Sequence, residues 1–375
     1  MAKKNGNGEG GITRHKNSNL YMGRYTVQTP TGPKRKTLYG KTRREVDEKL
    51  TRAKANRDSG LIFDADNLTL GGYLDRWLDS VRDTVRQRTW ERYEQIVRVH
   101  LKPALGRTKL KNITPTHARA LYKEKLDRGL APRTVNYIHT TLSKALNDAV
   151  SDGLIPRNVT RSVKAPKPTK QEIHPLSCDQ TKAFLEVARG ARFEAAYVVA
   201  LHCGLREGEI LGLKWLDIDL NARTLQIRRT LSEARTGRLF EPPKNGKGRN
   251  VRLTPQAVEA FRAHLGRQLQ EIENSGDLYK DQGLVFPSQV GTPMSAKNMT
   301  ARSFKPLLKR AGLPDIRFHD LRHTFATLML QNGEHPKVVQ EMLGHASIAI
   351  TMDTYSHVLP NMQRDAVDRL GTLLT

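Results

Sequence analysis

His319-Asp-Leu-Arg-His323 stands at the start of the last long apolar run of the chain, Leu321 to Asn332, which has the periodicity of a helix. In a helix, residue i+3 lies beside residue i, so His319 and Arg322 share one face and can reach the same ligand. His319 and His323 also have the i,i+4 spacing of a zinc pair. No Glu follows His319 and an arginine stands between the two histidines, which argues against zinc. We therefore expect no metal and no cofactor.

Three further segments carry groups suited to phosphate chemistry. In Gly204-Leu-Arg-Glu-Gly-Glu-Ile, a glycine turn ends an apolar helix and brings Arg206 to the start of the next helix, with Glu209 close enough to orient it. A guanidinium group can hold a phosphate bidentately. Leu343-Gly-His345 places an imidazole after a glycine that can end a helix, and Thr354-Tyr355-Ser-His357 supplies a hydroxyl. Each segment alone has an ordinary structural explanation, and their joint occurrence indicates a site.

Together these segments resemble the tyrosine recombinase (phage integrase) family, because they occur in the family's order and with its spacing. The family's lysine-bearing hairpin is matched by Pro243-Lys244-Asn-Gly. The resemblance covers residues 69–357, extending more loosely into the helical region before the motifs. It is specific as a set, although no single motif would carry it.

The resemblance implies a role for each matching residue. Tyr355 would attack the phosphodiester and become linked to the 3′-phosphate, releasing a 5′-hydroxyl. Arg206 and Arg322 would bind the non-bridging oxygens, and His345 would donate a further hydrogen bond. His319 would be the acid/base partner of the tyrosine hydroxyl, whose ordinary pKa of about 10 is too high for ionisation at neutral pH.

Lys244 is the expected acid that protonates the 5′-oxygen. It precedes Asn245-Gly246, a strong hairpin signal, and a loop tip can enter a DNA groove. Lys247 and Arg249 are near enough to be alternatives or simple phosphate contacts. Three neighbouring polar residues are expected to support the catalytic groups rather than to react: Glu209, Asp320 and His323.

The chain as a whole is strongly basic. Its 375 residues include 63 Lys and Arg against 38 Asp and Glu, a net charge of +25, which favours double-stranded DNA as partner. The longest apolar stretch, Ala195 to Leu201, is far shorter than the roughly 20 residues that span a bilayer. Two cysteines, Cys178 and Cys203, suit a reducing compartment. With no secretory signal evident, we expect a protein of the bacterial cytoplasm that acts at the nucleoid.

Residues 1–60 are expected to form a small α+β arm-type DNA-binding module. β-Prone residues on both sides of a turn predict a hairpin, and a basic helix over residues 42–57 follows. A flexible basic tail is the alternative. The expected DNA contacts in this module are basic residues of the hairpin and of the helix start: Lys34, Arg35, Lys36, Arg43 and Arg44.

Three further segments complete the predicted multidomain fold. Residues 66–158 show apolar residues at helical spacing in four runs, which predicts an all-α core-site DNA-binding domain. Residues 159–175, rich in proline and basic residues, form the predicted linker. Residues 176–375 are expected to be a mainly α, mixed α/β catalytic domain with a strand pair near residues 224–228 and 249–253.

The expected function is that of an integrase. Such an enzyme is a site-specific recombinase that moves a phage or other mobile element through a 3′-phosphotyrosyl intermediate and a Holliday junction, without ATP. The alternatives are a two-domain Xer-like or Cre-like recombinase, a type IB topoisomerase with the same catalytic groups, and a DNA-binding regulator without catalysis.

The expected partners are core and arm attachment sites in DNA, further copies of the chain in a DNA-bound homotetramer, and DNA-bending or excision proteins. After Tyr355, an apolar stripe predicts a short helix that packs within the chain or docks on a neighbouring subunit. Its members recur every four residues: Met362, Ala366, Leu370 and Leu374.

Overall fold

The structure, a computed structural model, describes residues 11–16, 18–29, 32–58, 67–168, 173–244, 246, 248–355, 367–368, 370–372 and 374. The chain divides into two compact units, Met1–Lys170 and Gln171–Thr375. Helices dominate both units and the sheets are small and antiparallel. The predicted multidomain, mainly helical fold class is confirmed.

The first unit begins with a three-stranded sheet. Its strands are β1 (Ile12–Arg14), β2 (Tyr21–Thr29) and β3 (Gly32–Gly40), in the order β1-β2-β3, and the helix α1 (Arg43–Asp58) follows. Tyr25 of β2 packs against Leu50 and Ala53 of α1. The predicted hairpin and helix are present, whereas β1 is too short to have been recognised from its sequence.

The register of β2 and β3 sorts the basic side chains by face. Tyr25 pairs with Lys36, and Thr26 pairs with Arg35. Because paired residues share a face and successive residues alternate, Lys34 and Lys36 lie on the face of Tyr25, which carries α1. Arg35 lies on the opposite, open face.

The rest of the first unit is an all-α domain. Its longer helices are α2 (Leu70–Val81), α3 (Gln87–Ile96), α5 (Pro115–Asp127) and α6 (Pro132–Ser151). A short π-helix over Val97–Leu101 leads from α3 into the short α4 (Lys102–Leu105). Thr69 caps α2 by accepting a hydrogen bond from the Gly72 amide. Tyr73 and Trp77 are buried among the helices, so these aromatic residues form core. Val163 also packs in this core, which means that ordered structure extends into the predicted linker.

The second unit begins with α7 (Cys178–Ala188), α8 (Glu194–Cys203) and α9 (Glu207–Leu211). A sheet of order β4-β5-β8 follows, together with a separate β6-β7 hairpin. The strands are β4 (Ile218–Asp219), β5 (Thr224–Ile227), β6 (Thr230–Ala234), β7 (Gly237–Glu241) and β8 (Arg249–Arg252). The predicted pairing of β5 with β8 is confirmed. The β6-β7 hairpin was missed because its side chains are largely solvated and show no clear apolar alternation.

The remaining elements of this unit are helices. They are α10 (Pro255–Ser275), α11 (Ala296–Met299), α12 (Lys305–Arg310), α13 (Phe318–Gln331), α14 (Pro336–Leu343) and α15 (Ile348–Tyr355). The apolar helix α8 is buried on nearly all sides, so the apolar stretch at residues 195–201 is a core helix. Within the described residues, no helix combines the length and apolarity required to cross a membrane.

Gly204 connects α8 to the site. It ends α8 with φ 63°, a left-handed conformation that favours glycine. A Cβ atom at this position would collide with the Phe325 ring and lie 2.9 Å from Leu343 Cδ2. The turn that carries Arg206 is therefore locked against both α13 and α14.

The substitution Gly204→Ala should destabilise the second unit strongly. Gly190 is a matched control, because its φ is 75° but nothing lies within 4 Å of a built Cβ. The left-handed conformation alone should cost Gly190→Ala about 1 kcal/mol, whereas the added collision should bring Gly204→Ala to about 2–5 kcal/mol. Urea unfolding measures both, and equal losses would contradict this view of the turn.

Candidate active site

Arg322 joins the ends of two helices. Its Nη1 donates to the Gly204 carbonyl and its Nη2 to the Leu343 carbonyl, both at 2.6 Å. Those carbonyls end α8 and α14, where helix dipoles favour a cation. The side chain is 2% exposed, and burial, together with the charge of Arg206, lowers its pKa to about 9. Arg322 therefore remains a cation at neutral pH.

Glu209 joins two more arginines to this centre. Arg206 Nη1 donates to Glu209 Oε1 at 2.7 Å, and the Arg206 amide donates to Oε2 at 2.9 Å. Arg249 donates to both carboxylate oxygens, at 2.9 and 2.8 Å. Burial alone would raise the pKa of Glu209, but these hydrogen bonds and charges outweigh it and hold the pKa at about 2. The carboxylate is thus an anion fixed between two guanidinium groups.

His345 lies on the turn that follows α14. Gly344 ends that helix with φ 63°, as the Leu-Gly-His pattern predicts. His345 Nδ1 is 2.9 Å from the Thr351 hydroxyl of α15, and Arg206 Nη2 lies 3.4 Å from the Gly344 carbonyl. Burial and the charges of Arg322 and Arg206 lower the His345 pKa to about 4. The imidazole is therefore neutral at pH 7 and can donate one N–H.

Tyr355 ends α15 and is 1% exposed, packed among Phe325, Val339 and Leu343. Its hydroxyl is 2.7 Å from His323 Nδ1. Burial raises the tyrosine pKa to about 12, an effect that the charge of Arg322 opposes. The hydroxyl is therefore protonated at neutral pH.

The structure brings His323 to the tyrosine hydroxyl, where the sequence predicted His319. His319 is exposed at the site and its ring contacts the His323 ring edge to face, with centroids 4.9 Å apart. Partial burial and the charges of His323, Arg322 and Arg206 lower the His319 pKa to about 4. Burial also lowers the His323 pKa. The two neutral histidines form a row that begins at Tyr355.

Asp320 acts at the start of α13. Its carboxylate accepts from the Arg317 amide at 2.8 Å and from Arg317 Nη2 at 2.7 Å, so it caps the helix. Thr324 donates to the Asp320 carbonyl and accepts from the Leu176 amide. Asp320 therefore fixes the start of the helix that carries His319 and Arg322.

Lys244 lies in a cleft of about 760 Å³ whose walls include Arg206, Arg249 and His345. Lys244 itself is exposed. The predicted alternative, Lys247, and the adjacent Asn245 lie outside the described residues. The cleft thus brings together four of the predicted phosphate-binding or acid groups: Arg206, Lys244, Arg249 and His345. Tyr355 is buried against Leu343, which lies between the cleft residues Met342 and Gly344.

The remaining predicted contacts are distant from this cleft in sequence. On β3, Lys34 and Arg35 are exposed and Lys36 is half-buried. On α1, Arg43 and Arg44 are exposed, and Arg44 forms a 3.1 Å ion pair with Glu48. At the carboxyl terminus, Leu370 and Leu374 are exposed, whereas His357, Met362 and Ala366 lie outside the described residues. In the described chain, no three His, Cys, Asp or Glu side chains cluster as a metal ion would require.

Two contacts were not predicted. Thr351, which holds His345, is buried and lies one turn before Tyr355, so the two share a face of α15. That i,i+4 spacing was visible in the sequence. The pairing of Arg249 with Glu209 crosses 40 positions and carries no sequence signal.

A cleft lined by cations beside a buried tyrosine suits phosphoryl transfer to a tyrosine, and the comparisons agree. Residues 175–362 match the phage integrase family, and residues 69–126 match its N-terminal SAM-like domain. A XerC-like tyrosine recombinase of Caldanaerobacter subterraneus subsp. tengcongensis is 30% identical over 360 residues, covering 90% of this chain and 92% of the relative. The ICEBs1 integrase of Bacillus subtilis is 26% identical, covering 90% and 89%.

Two solved structures share the fold. The Tn1549 transposon integrase bound to transposon right-end DNA has a TM-score of 0.69 at 24% identity, covering 81% of this chain and 100% of that one. A lambda integrase tetramer on a Holliday junction has a TM-score of 0.53 at 23% identity, covering 90% and 95%. The chain belongs to the phage integrase family of tyrosine recombinases. It is an enzyme of site-specific recombination that cleaves and rejoins DNA, as the sequence predicts.

The depressed pKa of His345 predicts a pH-dependent stability. Between the folded value of about 4 and the unfolded value of about 6.5, the unfolded chain binds more protons, so the unfolding free energy falls as the pH is lowered through this window. Substituting His345→Asn should reduce that fall. Urea unfolding at a series of pH values measures it, with the exposed His174→Asn as control. An unchanged pH dependence in His345→Asn would contradict the burial of a neutral imidazole.

Proposed function

We propose that this recombinase is the integrase of a phage or other mobile element, and that Tyr355 is its nucleophile. The observation that carries the proposal is the junction of Arg206, Arg322 and His345 at the ends of α8 and α14. The charge of Arg322 reaches the Tyr355 hydroxyl, where it opposes the burial that raises the tyrosine pKa. A transferring phosphoryl group needs cations and hydrogen-bond donors at its non-bridging oxygens. These three side chains supply both.

In the proposed cleavage step, Tyr355 Oη bonds to phosphorus while the bond between phosphorus and the 5′-oxygen breaks, leaving a 3′-phosphotyrosine. The hydroxyl proton passes to a histidine, and Lys244 gives a proton to the departing 5′-oxygen. Rejoining is the same step in reverse, with the bond energy stored in the phosphotyrosine.

The contacts of His323 and His319 suggest different roles for the two histidines. The His323 ring nitrogen Nδ1 lies 2.7 Å from the Tyr355 hydroxyl, and the His323 ring contacts the His319 ring. We propose that His323 positions the buried hydroxyl, and that His319, which is exposed, serves as the acid/base group in cleavage. Asp320 and Glu209 act by fixing the helix and the arginine that these groups depend on.

A suicide substrate, nicked so that the released strand diffuses away, tests the assignment. The native chain should accumulate a covalent adduct and Tyr355→Phe should form none. Lys244→Ala should cleave this substrate roughly 10²–10⁴-fold more slowly, the usual contribution of a general acid.

A second substrate makes the Lys244 role specific. If sulfur replaces the bridging 5′-oxygen, the leaving thiolate needs no acid, so Lys244→Ala should approach the native rate. Arg206→Ala should remain slow on both substrates, since its proposed contact is with non-bridging oxygens. An adduct in Tyr355→Phe would refute the nucleophile, and a Lys244→Ala defect equal on both substrates would refute the acid.

We propose recombination of a mobile element rather than relaxation of supercoils. The relatives' names, which include integrases and a transposon integrase, support this choice over a topoisomerase or an inactive regulator. By analogy with the tetramer that lambda integrase forms on a Holliday junction, we propose that four chains act together on DNA. DNA-bending or excision proteins would set direction, and the site of action would be the bacterial cytoplasm.

We further propose that residues 11–58 bind arm-type DNA through the open face of the β1-β2-β3 sheet. Arg24 and Arg35 lie on that face, opposite α1, and both are exposed. Of the DNA contacts predicted on β3, Arg35 is therefore better placed to bind DNA than Lys34 and Lys36, which lie on the face that carries α1. Arg43 and Arg44 at the start of α1 would add backbone contacts.

Double substitutions test which face binds. Arg24→Ala with Arg35→Ala should weaken binding to arm-type DNA and lower the slope of log K against log salt by about 0.9 for each lost phosphate contact. Lys34→Ala with Lys36→Ala removes equal charge from the helix face and should have the smaller effect. Equal or reversed effects in fluorescence anisotropy titrations would refute the open-face assignment.

A further inference from the structure

Arg249 holds together three parts of the cleft. Its Nε donates to the Met342 carbonyl at 2.8 Å, while Nη1 and Nη2 donate to the two oxygens of Glu209 at 2.9 and 2.8 Å. It is the first residue of β8, directly after the loop that carries Lys244. One side chain therefore links the Lys244 loop, the Arg206-Glu209 pair and the end of α14.

Arg249 also packs on the turn that presents His345. A Cβ atom built on Gly344 would lie 2.9 Å from Arg249 Nη1 and 3.1 Å from its Cδ. A larger residue at position 344 would therefore crowd the Arg249 guanidinium group, which lies against the backbone there. Moving Arg249 would free the same turn whose carbonyls bind Arg322 and Arg206.

These contacts leave Arg249 poorly suited to bind DNA directly. Three of its five N–H groups are used within the protein, and its side chain is 12% exposed against 27% for Arg206. The two N–H groups paired with Glu209 form the bidentate arrangement that a phosphate would otherwise occupy. The Glu209 carboxylate therefore already occupies the position on the Arg249 guanidinium group that a phosphate would take.

We propose that Arg249 is a positioning residue: it fixes Glu209, and through it Arg206, against the Met342–His345 turn so that Arg206 and His345 meet one phosphate. This inference rests on the proposed roles of Arg206 and His345. It replaces the phosphate contact expected from the sequence. Without Arg249, the buried Glu209 would keep one guanidinium partner, and Arg206 would be drawn toward it and away from the cleft.

The test uses the full chain with Arg249→Ala and Arg249→Lys. Lysine keeps the charge but cannot donate to both carboxylate oxygens and the Met342 carbonyl at once, so a phosphate contact would survive in it and a positioning role would not. The exposed Arg262→Ala, on α10, is the control for loss of one positive charge and should cleave at the native rate.

Two readouts separate the roles: the cleavage rate on a suicide substrate at saturating protein, and the salt dependence of DNA binding. We expect both Arg249 variants to cleave roughly 10- to 100-fold more slowly, as small misplacements of catalytic groups do. Their slope of log K against log salt should equal that of the native chain. If Arg249→Ala fails to fold, as melting would show, Arg249→Lys decides alone.

Native cleavage by Arg249→Lys would overturn the proposal. So would a slope reduced by about 0.9, the mark of one lost phosphate contact, without a slower cleavage step. The native chain is the reference in every arm. If the proposed Tyr355 chemistry is wrong, the native chain itself will form no adduct. If only the proposed role of Arg249 is wrong, the native chain will cleave as expected and the Arg249 variants alone will depart from the prediction.

Discussion

The cleft depends on Glu209, a buried anion that two arginines share. An isolated carboxylate is costly to bury, and removing one partner from a buried pair typically costs about 3–5 kcal/mol. Here the hydrogen bonds of Arg206 and Arg249 hold the Glu209 pKa at about 2, so the charge persists at any physiological pH. The carboxylate thereby keeps two guanidinium groups close together despite their mutual repulsion.

The third arginine of the site, Arg322, is held by the carbonyl groups at two helix ends. Arg322 is nearly as buried, yet it is paired with carbonyls at the ends of α8 and α14 and not with a carboxylate. Its hydrogen bonds therefore neutralise less charge than an ion pair would, and it remains attractive to a phosphate. Glycine at positions 204 and 344 makes both helix ends possible, since each adopts a left-handed conformation. The site is thus built around a net positive charge, which suits a phosphate.

The sequence predicted the local parts of this site well. Gly204 and Gly344 are helix stops with a physical reason, and each is followed within two residues by a catalytic candidate, Arg206 or His345. The start of α13 was placed three residues late, because Asp320 caps the helix through Arg317 and no Ser, Thr or Asn marks the position. The strand pair around residues 224–228 and 249–253 followed from its composition.

Contacts between segments that are distant in sequence could not be predicted from the sequence alone. Whether His319 or His323 faces Tyr355 depends on how α15 rotates against α13, which is set by packing among Phe325, Val339 and Leu343. Arg249 was expected to be an alternative to Lys244 or a simple phosphate contact, because it stands close to the predicted hairpin tip. Its partner, Glu209, stands 40 positions earlier, and only the fold brings the two together.

Peptide mapping of the covalent adduct formed on a suicide attachment-site substrate would show whether Tyr355 is the nucleophile. After proteolysis, mass spectrometry should find the nucleotide on the peptide that contains Tyr355, joined through the phenolic oxygen to a 3′-phosphate. A nucleotide on another residue, or a linkage to a 5′-phosphate, would contradict the assignment of Tyr355 as a nucleophile that forms a 3′-phosphotyrosine.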